Sequence, residues 1–281
     1  VDMDMKARQI SNSFYDFYHH GVTQSMMDMF QFCPKQCELA YGKGWTPLGP
    51  QSVPLLFGNV CHYVLEQAYA TDTLPLPGHI AGWITEYEYQ PYMQKEIESL
   101  SASDLQDYEV TRIKAKVLLQ HYFIQYAEDF NVPWEIAETI FRVPYSFSDG
   151  ATTYLNGKLD GGFIAEKNKK LNIMDHKFMG RINYDAAMMM LPYDIQPNTY
   201  CYACTKMGYM PDNFILNICR HPQSNPKKRQ NQSLTDFEWE LYETIEKDPG
   251  HYFKRIEVPI TEYEIHAWKE RQLDKILRDM R

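Results

Sequence analysis

Asp175 and Lys177, one residue apart in Asn172-Ile173-Met174-Asp175-His176-Lys177, are the first residues whose spacing could do chemistry. In an extended strand alternate side chains share a face, so this acid and amine point together while His176 points away. The run Leu155-Asn156-Gly157-Lys158-Leu159-Asp160-Gly161 carries another acid, and a hairpin joining the two runs would set Asp160 beside Asp175. Two carboxylates on one sheet face hold a hard divalent cation such as Mg²⁺ or Mn²⁺, which takes oxygen ligands. A lysine beside them can orient or deprotonate water and offset phosphate charge, and this is the equipment of phosphodiester hydrolysis. An Asp-x-Lys by itself is more often a surface ion pair that contributes little. Gly157 and Gly161-Gly162 around Asp160 raise the expectation of a close backbone or ligand approach there.

The elements that must position these residues follow from periodicity. Three β-rich runs, Ile136 to Phe147, Thr153 to Ala165 and Lys170 to Phe178, are separated by turns at Asp149-Gly150 and Glu166 to Lys169 and read as an antiparallel meander. A helix from about Gln196 to Met207 and a strand from Asn213 to Cys219 follow. Upstream, the pattern predicts a helix capped by Ser25 and broken at Pro34, a Pro-containing loop over residues 46–56, a helix from Phe57 to Tyr69, and helices over 79–98 and 104–130. Residues 221–233 are polar and basic and read as a loop, and Leu234 to Glu246 and Thr261 to Met280 as closing helices. With no internal repeat and no low-complexity linker, one domain is expected. It would comprise a helical part to about residue 132, a sheet core over about 133–220, and a basic loop with C-terminal helices over 221–281.

Composition bounds the partners. The 281 residues are 44% hydrophobic and 14% aromatic, enough for a packed core. No apolar run of about 18 residues offers a membrane span, and the charged start of the chain lacks the apolar region of a signal peptide. The chain opens with Val1 rather than Met, which points to residues trimmed from its start. A net charge of −9 is a mild argument against a nucleic-acid partner, because phosphate binding calls for Lys and Arg. It is weakened where acids gather at a metal site and bases elsewhere, as in Lys227-Lys228-Arg229 and the run containing Lys167, Lys169 and Lys170. The six cysteines, without a secretory signal, read as reduced thiols of an intracellular, cytoplasmic protein.

Taken in order, several segments resemble the RecB-like branch of the PD-(D/E)XK nuclease superfamily. Phe57-Gly58-Asn59-Val60-Cys61-His62 with Leu65-Glu66 resembles its helical histidine motif, and Gly157-Lys158-Leu159-Asp160 its first acidic strand motif. Asp175-His176-Lys177 resembles the acid–x–lysine motif, and Gln196-Pro197-Asn198-Thr199-Tyr200 the Gln-x-x-x-Tyr helix. Ser25 to Phe30, Cys33-Pro34 and Tyr41 resemble the N-terminal helical signature. The resemblance implies an α/β, restriction-endonuclease-like fold: a mixed central sheet flanked by helices, with N-terminal helices as one wall of a cleft. It implies that Asp160, Asp175, His62 and the backbone carbonyl of His176 ligate Mg²⁺ or Mn²⁺, with Glu138 a candidate helper of a second metal. Lys177 would activate or position water, while Gln196 and Tyr200 would face the DNA backbone or the lysine. The partner implied is DNA, as double-stranded ends or single strands, with a protein partner in a recombination or replication complex. The activity implied is exonucleolytic, in recombination, repair or phage replication; the absence of a helicase segment leads to a phage-encoded enzyme in its host's cytoplasm.

Two departures bear on this. The second metal position holds Asp where the family more often has Glu, with the same oxygen chemistry. Some relatives carry an iron–sulfur cluster on one Cys near position 33 and three near the C-terminus; no cysteine follows Cys219, so no cluster is expected. Cys201 and Cys204 read as buried side chains in a helix, His19, His20 and His121 as structural, and Met188 to Met190 as core or a contact surface. Lys227, Lys228 and Arg229 form a solvated loop or, beside a cleft, a phosphate clamp. The rival readings are a catalytically silent nuclease-like module that binds DNA or protein, and a thiolate metal protein using Cys33, Cys37, Cys201 and Cys204.

Overall fold

A computed structural model describes residues 7–9, 15–47, 52–71, 73–181, 183–227 and 231–281. Its elements run β1 (Ala7–Gln9), α1 (Phe17–His20), β2 (Val22–Thr23), α2 (Gln24–Phe32), α3 (Pro34–Cys37), β3 (Trp45–Pro47), α4 (Val53–Ala70), α5 (Pro77–Glu88), α6 (Pro91–Ser99) and α7 (Ala102–Gln125). There follow β4 (Trp134–Ser146), β5 (Thr152–Ile164), β6 (Leu171–Met179), α8 (Tyr184–Met190), α9 (Ile195–Lys206), β7 (Pro211–Arg220), α10 (Leu234–Lys247), α11 (Pro249–Tyr252), β8 (Phe253–Pro259), α12 (Glu262–Trp268) and α13 (Asp274–Met280).

The meander forms as its alternation predicts, and it seeds a six-stranded mixed sheet among the described residues. β4 covers one edge of β5 along most of its length, antiparallel. The other edge is shared. β6 pairs with it antiparallel only from Gly161 to Ile164, and β2 pairs with it parallel at Leu155 and Asn156. Between these partners the Gly157–Asp160 stretch of that edge carries no ladder among the described residues. β6 continues the sheet through parallel β7 to antiparallel β8. Buried on both faces over its first six residues, β6 is the strand about which the layers close. One core, with Ile173, Leu216 and Ile218, is covered by α9, α12 and α13; the other, with Cys219 and Phe253, by α4, α5, α7 and α10.

The expected α/β architecture holds, with corrections to its parts. The sheet is not confined to residues 133–220: β2 joins from upstream, and β8, a segment to which the sequence reading gave no strand, closes the far edge. The helix expected over 79–98 is two, because Pro91 starts a new one after Gln90. Thr23, not Ser25, caps α2, its hydroxyl accepting the Met26 N–H at 3.3 Å. α4 begins at Val53 inside the expected loop, since Pro54 in a first turn has no hydrogen bond to lose. Gly157 and Gly161 make room for rings of the neighbouring strand rather than for a ligand: a Cβ would lie 2.5 Å from Phe141 and 2.8 Å from Trp134. No helix among the described residues is long and apolar enough to cross a membrane.

Candidate metal centre

Where β6 leaves β5, the His176 N–H loses its strand partner, and the Asp160 side chain takes its place, accepting that N–H at 2.8 Å. The pairing Gly161↔Met174 sets Asp160 across from Asp175 over this gap. On the other side, Ala137↔Gly161 and Thr139↔Leu159 set Glu138 across from Asp160, so three adjacent strands each bring one carboxylate to a common row. Glu138 reaches its place at φ 45°, a left-handed conformation uncommon for a side chain of this kind. Strain of this sort costs on the order of 1–3 kcal/mol and gathers at functional sites. α4 supplies His62, whose Nδ1 lies 3.4 Å from Glu138 Oε1 and 3.6 Å from Asp160 Oδ2. Ligand atoms of His62, Glu138 and Asp160 all fall within 4.8 Å of one another.

Asp175 sits beside this group in a second set of contacts. Its Oδ2 meets Lys177 Nζ at 2.9 Å and its Oδ1 accepts from the Gln196 amide at 2.9 Å. Lys177 donates to Gln196 Oε1 at 2.6 Å, and the same Gln196 amide donates to the Tyr200 hydroxyl at 3.0 Å. The one-turn spacing of Gln196 and Tyr200 is what lets α9 bridge acid and lysine. Tyr200 itself is buried, so its hydroxyl serves Gln196 and faces no open surface.

The electrostatics are those of too many acids in too little water. Burial, then the charge of Asp175, pushes the Asp160 carboxyl up to about 7, and burial raises Asp175 as well. Burial opposes charge on His62, but its close contact with Glu138 and the charges of Asp160 and Glu138 outweigh it and raise the ring. Lys177 is likewise raised, burial being outweighed by Asp175, and stays protonated. Glu138 Oε1 and Asp175 Oδ2 are buried, and among the described residues no donor meets them in good hydrogen-bond geometry: His62 Nδ1 at 3.4 Å from the first and Lys177 Nζ at 2.9 Å from the second are ion pairs by distance. Crowded carboxylate oxygens around a raised acid fit a divalent cation, which would favour their charged forms.

Against this geometry, the family model of the PD-(D/E)XK nuclease superfamily matches residues 22–278. The chain belongs to that superfamily. No curated protein matches it. As a PD-(D/E)XK protein the chain is a metal-dependent nuclease, and the acidic row is its candidate metal centre.

Of the remaining residues singled out from this nuclease's sequence, Lys227 is tied to Glu240 at 2.6 Å, and Lys228 and Arg229 lie outside the described residues. Cys37, Cys61, Cys201, Cys204 and Cys219 are buried free thiols, and Cys33 is partly buried. Met188 to Met190 are exposed, not core: α8 turns Tyr184 and Ala187 inward and leaves its methionines outside, with Met190 lining a cavity of about 230 Å³ shared with Asp175 and Lys177.

Sequence reasoning missed the support behind the centre. His176 Nδ1 meets Asn217 Nδ2 at 2.6 Å; Asn217 also donates to Tyr122 and accepts from Arg255 Nε at 3.1 Å. Arg255 grips both oxygens of Asp129 at 2.7 and 2.5 Å, and Tyr69 donates to Asp129 at 2.8 Å with its ring stacked on His176. Burial, with the nearby charges of His62 and Arg255, keeps the His176 ring neutral. It therefore braces the strand that presents Asp175 and Lys177. Asn217, alone in the apolar run Phe214-Ile215-Leu216-Asn217-Ile218, was the available signal. Lys158, ion-paired to Glu138, was the other.

Proposed function

We propose that this nuclease is a RecB-like deoxyribonuclease that uses Mg²⁺ or Mn²⁺ and works as an exonuclease on DNA ends in recombination, repair or phage DNA processing. The chain is taken as one nuclease unit acting in the cytoplasm. The observation that carries the reading is the convergence of Glu138, Asp160 and His62 in the gap of the sheet, with the Asp175–Lys177–Gln196 cluster beside them.

In this reading Asp160, Asp175, His62 and the His176 carbonyl hold the cation, and Glu138 completes the row or helps a second ion. The cation supplies Lewis acidity toward the phosphate and toward the attacking water. Lys177, kept protonated by Asp175, acts as a donor: it orients water and offsets charge on the phosphate rather than accepting a proton. Gln196 fixes the lysine through its carbonyl and Asp175 through its amide, and Tyr200 fixes Gln196. The proton of the attacking water then passes to solvent or to a carboxylate of the row. Lys227, Lys228 and Arg229 are assigned to the strand's phosphates.

The test is digestion of end-labelled linear and circular DNA with Mg²⁺ or Mn²⁺ by the wild type, Asp175→Ala and Lys177→Ala. Cleavage of linear DNA alone, lost in both variants, is the expected result. Equal cutting of circles removes the exonuclease assignment, and cleavage unchanged by either substitution removes the site. DNA binding without cleavage by the wild type leaves the silent-module reading instead.

A further inference from the structure

At the end of β7, on the far side of Met179 from the metal centre, a cavity of about 360 Å³ is walled by Arg220, His221, Gln223, Asn225 and His251. Its charge is unbalanced. Arg220 Nη1 lies 3.0 and 3.3 Å from the two ring nitrogens of His251, and Nε donates to the Gly180 carbonyl at 3.5 Å. Among the described residues no carboxylate stands at ion-pair distance from this guanidinium. Behind the wall, Lys114 is buried at 5% exposure and donates to Asn225 Oδ1 at 3.0 Å, again with no carboxylate at ion-pair distance among the described residues. The acid among the lining residues, Glu240, is taken up by Lys227 at 2.6 Å and Gln232 at 2.8 Å. His221 adds no charge, since burial and Lys114 hold its ring down to about 4, and the Gln223 amide donates to its Nδ1 at 3.1 Å. In a chain of net charge −9, a wall guanidinium with no carboxylate partner among the described residues, backed by a buried Lys114 whose nearby acid charge is that of Asp107, calls for an anion.

The position says which anion. Arg220 pairs in register with Met179, two residues beyond Lys177 on the neighbouring strand. Strand rise and spacing place the Arg220 and Lys177 Cα atoms roughly 8 Å apart. On the other face, ring contacts of 5.3, 6.0 and 4.2 Å lead from His62 through Phe178 and Phe57 to His221. A strand held at the metal centre therefore needs to run only a short way to reach the cavity, where Arg220 Nη2 and the Asn225 amide nitrogen, the donors not taken up by Gly180, His251, His221 or Lys114, match phosphate oxygens.

We propose that the cavity under Arg220 and His251 binds a phosphate of the nucleic-acid strand within a few nucleotides of the cleaved bond, setting where along the strand the cut falls. The proposal rests on the nuclease reading above. That phosphate is either an internal diester or a terminal monoester, and the two are separable by experiment.

The test uses Asp175→Asn as a non-cleaving parent, alone and combined with Arg220→Gln or Arg220→Lys. Each is titrated with a short fluorescein-labelled single strand in Mg²⁺, across a salt series. A single neutral methylphosphonate is moved along the strand, and strands with a terminal phosphate are compared with terminal hydroxyls. In the parent, neutralising one position is expected to weaken binding about tenfold. A sensitive internal position identifies the diester, and a sensitive end identifies the monoester. Arg220→Gln should erase that sensitivity and make the logarithmic salt slope shallower by about 0.7, while Arg220→Lys keeps both. A parent that binds, with Arg220→Gln showing the same profile and slope, overturns the phosphate pocket alone. A parent that binds no strand at all overturns the nuclease reading and the pocket together.

Discussion

Replacing Asp160 with Asn should stabilise the metal-free protein while destroying its response to metal. The native fold holds a proton on Asp160 up to about pH 7, against 3.8 for the free group, because burial and then Asp175 oppose its charge. The unfolded chain gives up that proton near its ordinary value, so stability falls as pH rises from about 4 to about 7 and is level above. At about 1.4 kcal/mol per pH unit, the displacement sets an upper bound of about 4 kcal/mol at pH 8. Asn removes this cost yet keeps an oxygen to accept the His176 N–H. In EDTA at pH 8, Asp160→Asn should melt several degrees above wild type, at about 2–4 °C per kcal/mol, and the difference should close near pH 4. Millimolar Mn²⁺ should raise the wild-type Tm at pH 8, by about 2.7 kcal/mol of stability at a hundredfold excess over Kd, and leave the variant unmoved. Calorimetry at the two pH values, with and without metal, decides it. A variant that melts below wild type in EDTA at pH 8, or that keeps the full Mn²⁺ shift, refutes the argument from carboxylate crowding.

Other substitutions separate chemistry from support. Lys177→Met should lower kcat about a hundredfold, the scale for losing one charged donor at a transition state, with little change in DNA affinity; a loss confined to KM would assign the lysine to binding. Tyr200→Phe removes one buried hydrogen bond, costs about 1 kcal/mol of stability and should reduce cleavage only a fewfold, whereas complete inactivity would mean that the hydroxyl touches the substrate. Arg255→Met leaves the partly buried Asp129 without its cation, with Tyr69 as its remaining side-chain donor, and should cost about 3 kcal/mol in urea denaturation; a midpoint within experimental error of wild type would show that the network does not brace β6.

The acid–lysine pair on β6 was legible because strand periodicity and a short hairpin are local rules, and Asp160, Asp175 and Lys177 obey them. Gln196 and Tyr200 were singled out by the family resemblance, helical spacing adding only that the two share a face. Glu138 drew notice only through family resemblance, because its place depends on a left-handed φ that shifts the inward phase of β4 from Glu138 to Phe141, which no alternation pattern foretells. β8 escaped because its residues do not read as half-apolar: Arg255 is held inward by Asp129, 126 positions earlier, and Lys254 and Glu257 face out. β2 escaped because two residues carry no period, and only the unfilled edge of β5 explains their pairing. The exposed methionines of α8 show the converse, an apolar run whose helix of seven residues is too short to bury every side.

The divided edge of β5 has a consequence for how the protein can vary. Asp160 stands in for a peptide carbonyl, finishing by side chain a rung that the backbone abandons. Replacement by Ala would therefore unsettle the strand as well as the site, and an inactive Asp160→Ala protein would confound two injuries. Extending β6 along β5 would heal the rung and close the gap in the same stroke, so at this position tighter architecture and a working cavity are mutually exclusive.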